Sequence, residues 1–249
     1  MSLSATDYLL WVTSGILLVL TAGSLIKRSL VRELPVFSLY ALFHVLRFFA
    51  LFVVKHGMGY SEYFYSYWIA QAISIVLGFG VLYELYCKLF ANYDAIQQFG
   101  GVLFAGAGIV LLMVATITAL YSPGADTPGV IKELLLLERS VRVMQCGLLV
   151  FLFLLSFYFG LPWRNYVFGI AMGFGVFAAI ELAAVAVRSQ VGATANIGLS
   201  QINSAAYSSG VTIWVCYLLA PQPASQYAGV VQHNDLEKWN RALLEILER

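Results

Sequence analysis

Residues 35–55 read PVFSLYALFHVLRFFALFVVK, a run long and apolar enough to set the fold class. From Pro35 to the lysine at its end, the apolar run is interrupted by only two basic side chains, His44 and Arg47. A helix needs roughly 20 mostly apolar residues to cross about 30 Å of hydrocarbon, and this run supplies them. Outward from it, six further segments qualify as spans: 8–26, 64–89, 102–121, 134–159, 166–187 and 199–220, with 36–54 as the second in order. The chain has 249 residues, 61% hydrophobic and 11% charged, where a soluble domain carries about 25% charge. Its mean hydropathy is +0.82. So little charge could not cover the surface of a water-soluble fold, which excludes the soluble globular, disordered and fibrous classes.

Backbone groups inside lipid must hydrogen-bond within their own segment, so spans of this kind are helices. The expected fold is all-α: a polytopic seven-transmembrane helix bundle occupying residues 1–220. Turn chemistry separates the spans, at Gly57-Met58-Gly59, Ser122-Pro123-Gly124, Pro128-Gly129 and Leu161-Pro162. Residues 221–233, rich in Pro, Ala, Ser and Gly, read as a flexible linker. Residues 234–249 read as an amphipathic tail helix. Asn234 caps it, Glu237 sits three residues on, and Leu236, Trp239 and Leu243 recur on one face. The start, Met1 to Thr6, has neither a basic region nor a cleavage site, so the first span is expected to be retained.

Lysine and arginine set the orientation. With the N-terminus outside and the C-terminus cytoplasmic, the inner side collects Lys27, Arg28, Arg32, Lys88 and Arg164, together with Lys238, Arg241 and Arg249 of the tail. Only Lys55, Lys132 and Arg188 then fall in outer loops. The expected location is a multi-pass protein of a plasma or inner membrane. One repeat stands out. Gly78-Phe79-Gly80-Val81 recurs as Gly173-Phe174-Gly175-Val176, an offset of 95 residues that also carries Arg47 onto Arg142. Spans three apart run in opposite directions, so this pattern would make a 3+3 inverted repeat plus one helix, an arrangement used by transporters. Chance similarity between glycine-rich helices is the competing reading, and Gly169 with Gly173 also forms a small-xxx-small packing motif.

Ionisable residues inside a membrane are costly and mark sites. Tyr40, His44 and Arg47 share one stripe of the second span, spaced four and three apart. Arg47 lies about 16 Å along its helix, near the midplane. Glu138 and Arg142 share a face of the fifth span with Gln145, and Glu181 lies two turns from the outer end of the sixth. Gln71, Ser74 and Gly78 line one face of the third. In the seventh, Ser200, Ser204, Ser208 and Thr212 recur every four residues beside Gln201, Asn203 and Tyr207, a face expected to point into the bundle. The topology brings these groups to one depth. The expected ligand-binding set is Tyr40, His44, Arg47, Gln71, Glu138, Arg142, Glu181, Gln201 and Ser204, around a polar pocket in the outer half. Arg142 with Glu138 and Arg47 with Glu181 are the pairs that would neutralise one another in a purely structural reading. Glu84 with Lys88 reads as an interfacial contact four residues apart, and Lys27 and Arg28 as snorkelling side chains.

The remaining chemistry is sparse. Cys87, Cys146 and Cys216 fall in apolar runs, an odd number without a disulfide framework. The seventh span has no lysine for a retinal Schiff base. No CxxC, HExxH, Gly-x-Ser-x-Gly or Walker-type loop occurs. Net charge is +1 and pI about 7.7, with no basic footprint for nucleic acid. The expected protein is non-enzymatic and without cofactor or metal. Its expected partners are the bilayer, a small molecule arriving from the outer side, and a cytoplasmic protein met through the tail. The leading functional expectation is a receptor-like or sensory module. A small transporter or permease and a structural or assembly subunit are the alternatives.

Overall fold

The computed structural model describes residues 5–57, 59–91, 93–121, 128–158, 165–191, 196–220 and 241. Side chains are described for most of these; those of 5–11, 118–121, 128–139, 188–191 and 196–200 are among those that are not. The linker and tail expected over 221–249 lie outside the described residues, apart from Arg241.

Among the described residues the structure is all-helical, with seven helices and no strand: α1 (Ala5–Lys27), α2 (Pro35–Gly57), α3 (Tyr60–Leu89), α4 (Asp94–Tyr121), α5 (Pro128–Tyr158), α6 (Asn165–Val191) and α7 (Asn196–Leu219). Each packs on its neighbours in sequence, α7 closes on α1, and α3 also reaches across to α5 and α6. The bundle is therefore a closed ring with α3 drawn inward. Four helices contain stretches long and apolar enough to cross a membrane: Pro35–Val54, Tyr65–Leu89, Ser140–Tyr158 and Tyr166–Ala184. The apolar stretches of α1 and α4 among the described residues, Val12–Lys27 and Ala95–Val110, are shorter. The hydroxyl and amide side chains of α7 dilute its apolar character.

Large apolar side chains cover the outside of the ring. Ile16, Leu46, Ile69, Val76, Val102, Val150 and Leu154 are all exposed, and Phe157 is 88% exposed. A water-soluble monomer rarely shows contiguous apolar surface on this scale. Together with the four long apolar helices, it fits a membrane protein.

Two helices begin more than four residues earlier than hydropathy implies. α4 starts at Asp94 rather than near 102, because Gln97 donates to the Cys87 carbonyl (3.0 Å) and Ala95 and Ile96 are buried. α5 starts at Pro128, a residue whose fixed φ and missing N–H suit the first helical position. At the end of α1 the chain turns through Ser29, whose φ is +56°. The Leu30 amide bonds the Leu25 carbonyl and the Ser29 amide bonds that of Ile26, the paired bonds of a Schellman cap with serine in the place usually held by glycine.

The bundle has two unlike ends. The end where α1, α3, α5 and α7 begin is called upper here, and the opposite end lower. At the lower end, polar side chains close helix termini. The Glu84 carboxylate accepts the amides of Val36 (2.9 Å) and Phe37 (2.8 Å) in the first turn of α2. Negative charge there also meets the positive end of the helix dipole. Glu84 is thus a buried cap on a neighbouring helix, where the sequence pattern suggested an interfacial partner for Lys88. Arg28 donates to the Leu219 (2.6 Å) and Ala220 (2.9 Å) carbonyls at the end of α7, and so fastens α1 to α7 rather than only snorkelling. Tyr86 donates to the Ile96 carbonyl (2.6 Å), and Tyr166 donates to Glu33.

Close packing holds α6 to α7. A Cβ added at Gly173 would lie 2.7 Å from the Gly210 carbonyl oxygen and 2.3 Å from the Trp214 indole nitrogen. One at Gly169 would lie 2.3 Å from the Tyr217 side chain. The Gly169–Gly173 pair is therefore the surface on which α7 sits, as small residues allow between helices. Cys87, Cys146 and Cys216 are free thiols.

Candidate functional site

A cavity of about 420 Å³ occupies the bundle from its middle toward the upper end. Among the described residues, every helix except α4 lines it. α2 contributes Tyr40, His44, Arg47, Phe48 and Leu51; α3 contributes Tyr67, Gln71, Ser74, Ile75 and Gly78. Arg142 and Gln145 come from α5, Phe174, Phe177 and Glu181 from α6, and Asn203, Ser204 and Tyr207 from α7. Ser14 and Leu18 of α1 complete the wall.

Helical spacing explains the α2 wall. Residues 40, 44, 47, 48 and 51 fall on one face at steps of three and four, with Leu39, Leu42, Leu46 and Phe49 exposed on the other. The same periodicity in α3 turns Tyr67, Gln71, Ser74 and Gly78 inward. Gly78 matters because its missing side chain admits the Gln145 amide: an added Cβ would lie 3.1 Å from Gln145 Nε2.

Side chains around the space bond mainly to one another. His44 shares hydrogen bonds with the Tyr207 hydroxyl at Nδ1 (3.0 Å) and the Ser74 hydroxyl at Nε2 (2.9 Å), joining α7, α2 and α3. The tautomer decides which partner donates. Arg142 forms an ion pair with Glu181, Nε to Oε2 at 2.6 Å, and donates from Nη1 to Gln145 Oε1 at 2.7 Å. Its guanidinium stands 5.0 Å from the Phe177 ring centre. Arg142 and Glu181 are 8% and 6% exposed, so the ion pair is buried. Arg47 donates from Nη2 to Gln71 Oε1 (2.9 Å) and lies 5.4 Å from the Tyr67 ring centre. Among the described residues no carboxylate forms an ion pair with Arg47. Ser14 and Ser208 share a hydrogen bond of 2.7 Å between α1 and α7. Asn203 Oδ1 is buried with no hydrogen-bond partner among the described residues.

Aromatic rings floor the cavity. Tyr40 and Phe174, which line it, have ring centres 5.2 Å apart, and Trp214 lies 5.0 Å from Phe174 and 6.0 Å from Tyr40. Phe37 meets Trp214 edge-on at 5.4 Å, and the indole N–H donates to the Ile170 carbonyl (3.1 Å). Below this layer lie Leu34, Leu85, Tyr86, Phe90 and Leu218, all essentially inaccessible.

Of the residues singled out from sequence, Tyr40, His44, Arg47, Gln71, Arg142, Glu181 and Ser204 line the cavity together. The Glu138 side chain lies outside the described ones. Gln201 is half-buried and is not part of the lining. The described ionic partner of Arg142 is Glu181, the carboxylate that spacing matched with Arg47, and the pairing of Arg142 with Glu138 lies outside the described side chains. Arg142 takes Glu181 because α5 and α6 are packed neighbours, whereas α2 and α6 face one another across the space. The serine stripe of α7 also splits. Ser204 faces the cavity and Ser208 meets α1, while Thr212 is exposed and returns its hydroxyl to the Ser208 carbonyl (2.7 Å). Four-residue steps rotate about 40° each, so the stripe turns through roughly 120° between 200 and 212 and cannot stay on one face. Back-bonding to the preceding turn lets the outward hydroxyl remain satisfied.

Sequence reasoning passed over Ser14, Phe48, Tyr67, Phe174 and Phe177 as site residues. The aromatic residues among them carry one usable sign, helical spacing from a polar wall residue: Phe48 lies four after His44, Tyr67 four before Gln71 and Phe177 four before Glu181. Ser14 is a polar residue in an apolar helix, and that was a usable sign. Compared with known proteins, the chain matches no family model, no curated protein and no solved structure.

Proposed function

We propose that this chain is a receptor-like or sensory membrane protein that binds a small molecule in the cavity of its upper half. In this reading all seven helices span the bilayer, the upper end faces outside and the lower end the cytoplasm, and the tail over 234–249 passes the signal to a cytoplasmic protein. One observation carries the reading: a polar cavity at one end of the bundle stands on a floor of interlocked aromatic rings. A chamber with a closed floor suits binding from one side. Its volume falls within the roughly 300–1,000 Å³ typical of small-molecule pockets.

The titratable groups of the wall are engaged with one another, His44 with Tyr207 and Ser74, and Glu181 with Arg142. This favours recognition over catalysis, because a general acid or base needs a free face toward substrate. The transporter reading rests on the 95-residue repeat. Its two glycine quartets have different surroundings, Gly78 beside Gln145 and Gly173 against Gly210 and Trp214, which gives that symmetry little support. As a structural or assembly subunit, the chain would have no use for the space itself.

Reconstituted protein distinguishes the three. A panel of small polar solutes is screened for thermal stabilisation, the solutes that stabilise are tested for uptake into proteoliposomes, and protease cleavage of the tail is followed with and without them. Stabilisation with altered tail cleavage and no uptake is the expected result. Uptake would replace sensing by transport, and a panel without a single stabilising solute would leave the scaffold.

A further inference from the structure

The charge balance of the cavity carries information about what enters it. Two guanidinium groups and one carboxylate line the space among the described residues, and the carboxylate of Glu181 is held by Arg142. Arg47 is left with a neutral amide, Gln71, and the face of Tyr67. A guanidinium has five N–H donors in a planar fork that matches a carboxylate with two parallel bonds. Only one Arg47 donor is engaged by Gln71. A cation at this depth in a low-dielectric wall calls for a counter-charge. A second group also lacks a partner: Asn203 Oδ1, buried in the wall contributed by α7.

We infer that the cavity takes a small organic monoanion, its carboxylate set on Arg47, with a neutral O–H or N–H on the same molecule for Asn203 and an apolar body against Phe48 and Phe177. The inference rests on the reading of the cavity as a ligand pocket and names the class of ligand. One cation without a counter-charge among the described residues selects a single negative charge over a dianion. An ammonium group finds no free carboxylate among the described lining residues, so amines are disfavoured. A neutral molecule would bring Arg47 no counter-charge. Phe48, Phe174 and Phe177 offer ring faces or edges to an apolar body, and Tyr40 closes the bottom.

Three shape-matched probes test this on the full chain in lipid nanodiscs by titration calorimetry: 4-hydroxyphenylacetate, its neutral alcohol analogue tyrosol, and its amine analogue tyramine. The acid is expected to bind at least about tenfold more tightly than either analogue, the effect of one charge-assisted bidentate contact. Arg47→Gln should remove that preference. Asn203→Leu should bring 4-hydroxyphenylacetate down to the affinity of phenylacetate, which lacks the phenolic donor. If Arg47→Gln fails to fold, the ranking of the three probes on the unaltered chain decides. Tyrosol or tyramine binding as well as the acid would overturn the anion class while leaving the pocket in place. Binding of none of the three would overturn both.

Discussion

The two ends of the bundle spend their polar side chains differently. At the lower end they bond mostly to backbone: Glu84 to amides at the start of α2, Arg28 to carbonyls at the end of α7, Tyr86 to Ile96, and Trp214 to Ile170. Tyr166 with Glu33 is a side chain–side chain contact at this end. At the upper end they bond to each other around a space: Arg142 to Glu181 and Gln145, Arg47 to Gln71, and His44 to Tyr207 and Ser74. Helix termini buried without partners are unstable, so a bond to a terminal amide or carbonyl has a structural reason to exist. A bond between two side chains can be exchanged for one to a ligand without unmaking a helix. The lower half therefore reads as a clamp and the upper half as a chamber.

Substitutions at both ends test this contrast. The largest expected effect is in the α6–α7 contact that supports the floor. Gly173→Leu drives a side chain into the Gly210 carbonyl and Trp214, and it should cost more than about 4 kcal/mol, seen as loss of folded protein in a denaturant titration. Next is the ion pair of the chamber. Arg142→Gln alone should cost about 3 kcal/mol by taking the paired cation away from the buried Glu181 carboxylate. The double change with Glu181→Gln should recover most of that loss in a double-mutant cycle. An additive double variant would mean that the pair is not coupled.

Much of this arrangement is legible in the sequence, and the illegible part has a common cause. Hydropathy marks the helices because lipid demands long apolar runs. Helical spacing places Tyr40, His44 and Arg47 on one face. What sequence spacing does not convey is which helices are neighbours. Arg142 could be matched with Glu138 on its own helix, but its described partner Glu181 comes from α6, beside it in the ring. Glu84 has Lys88 one turn away, yet its carboxylate finds the start of α2 because α3 runs past that terminus. Thr212 leaves the polar stripe through accumulated rotation, which a four-residue repeat conceals.

Smaller effects test the clamp at single contacts. Glu84→Gln keeps the shape but removes the charge from two terminal amides. It should cost about 1–2 kcal/mol and speed hydrogen exchange at Val36 and Phe37, and unchanged exchange there would remove Glu84 from the clamp. The smallest expected effect is a gain. Ser29→Gly relieves a left-handed backbone position and should raise stability by about 0.5 kcal/mol, read as a small rise in melting temperature.

The contrast itself is tested most directly by side-specific labelling. Cys87, Cys146 and Cys216 are replaced by serine, Ser204→Cys is introduced in the chamber wall, and intact proteoliposomes of known orientation are exposed to a membrane-impermeant maleimide from each side. Labelling from the upper side and protection from the lower side is the predicted result. Equal labelling from both sides, or from the lower side alone, would mean that the aromatic floor does not close the chamber.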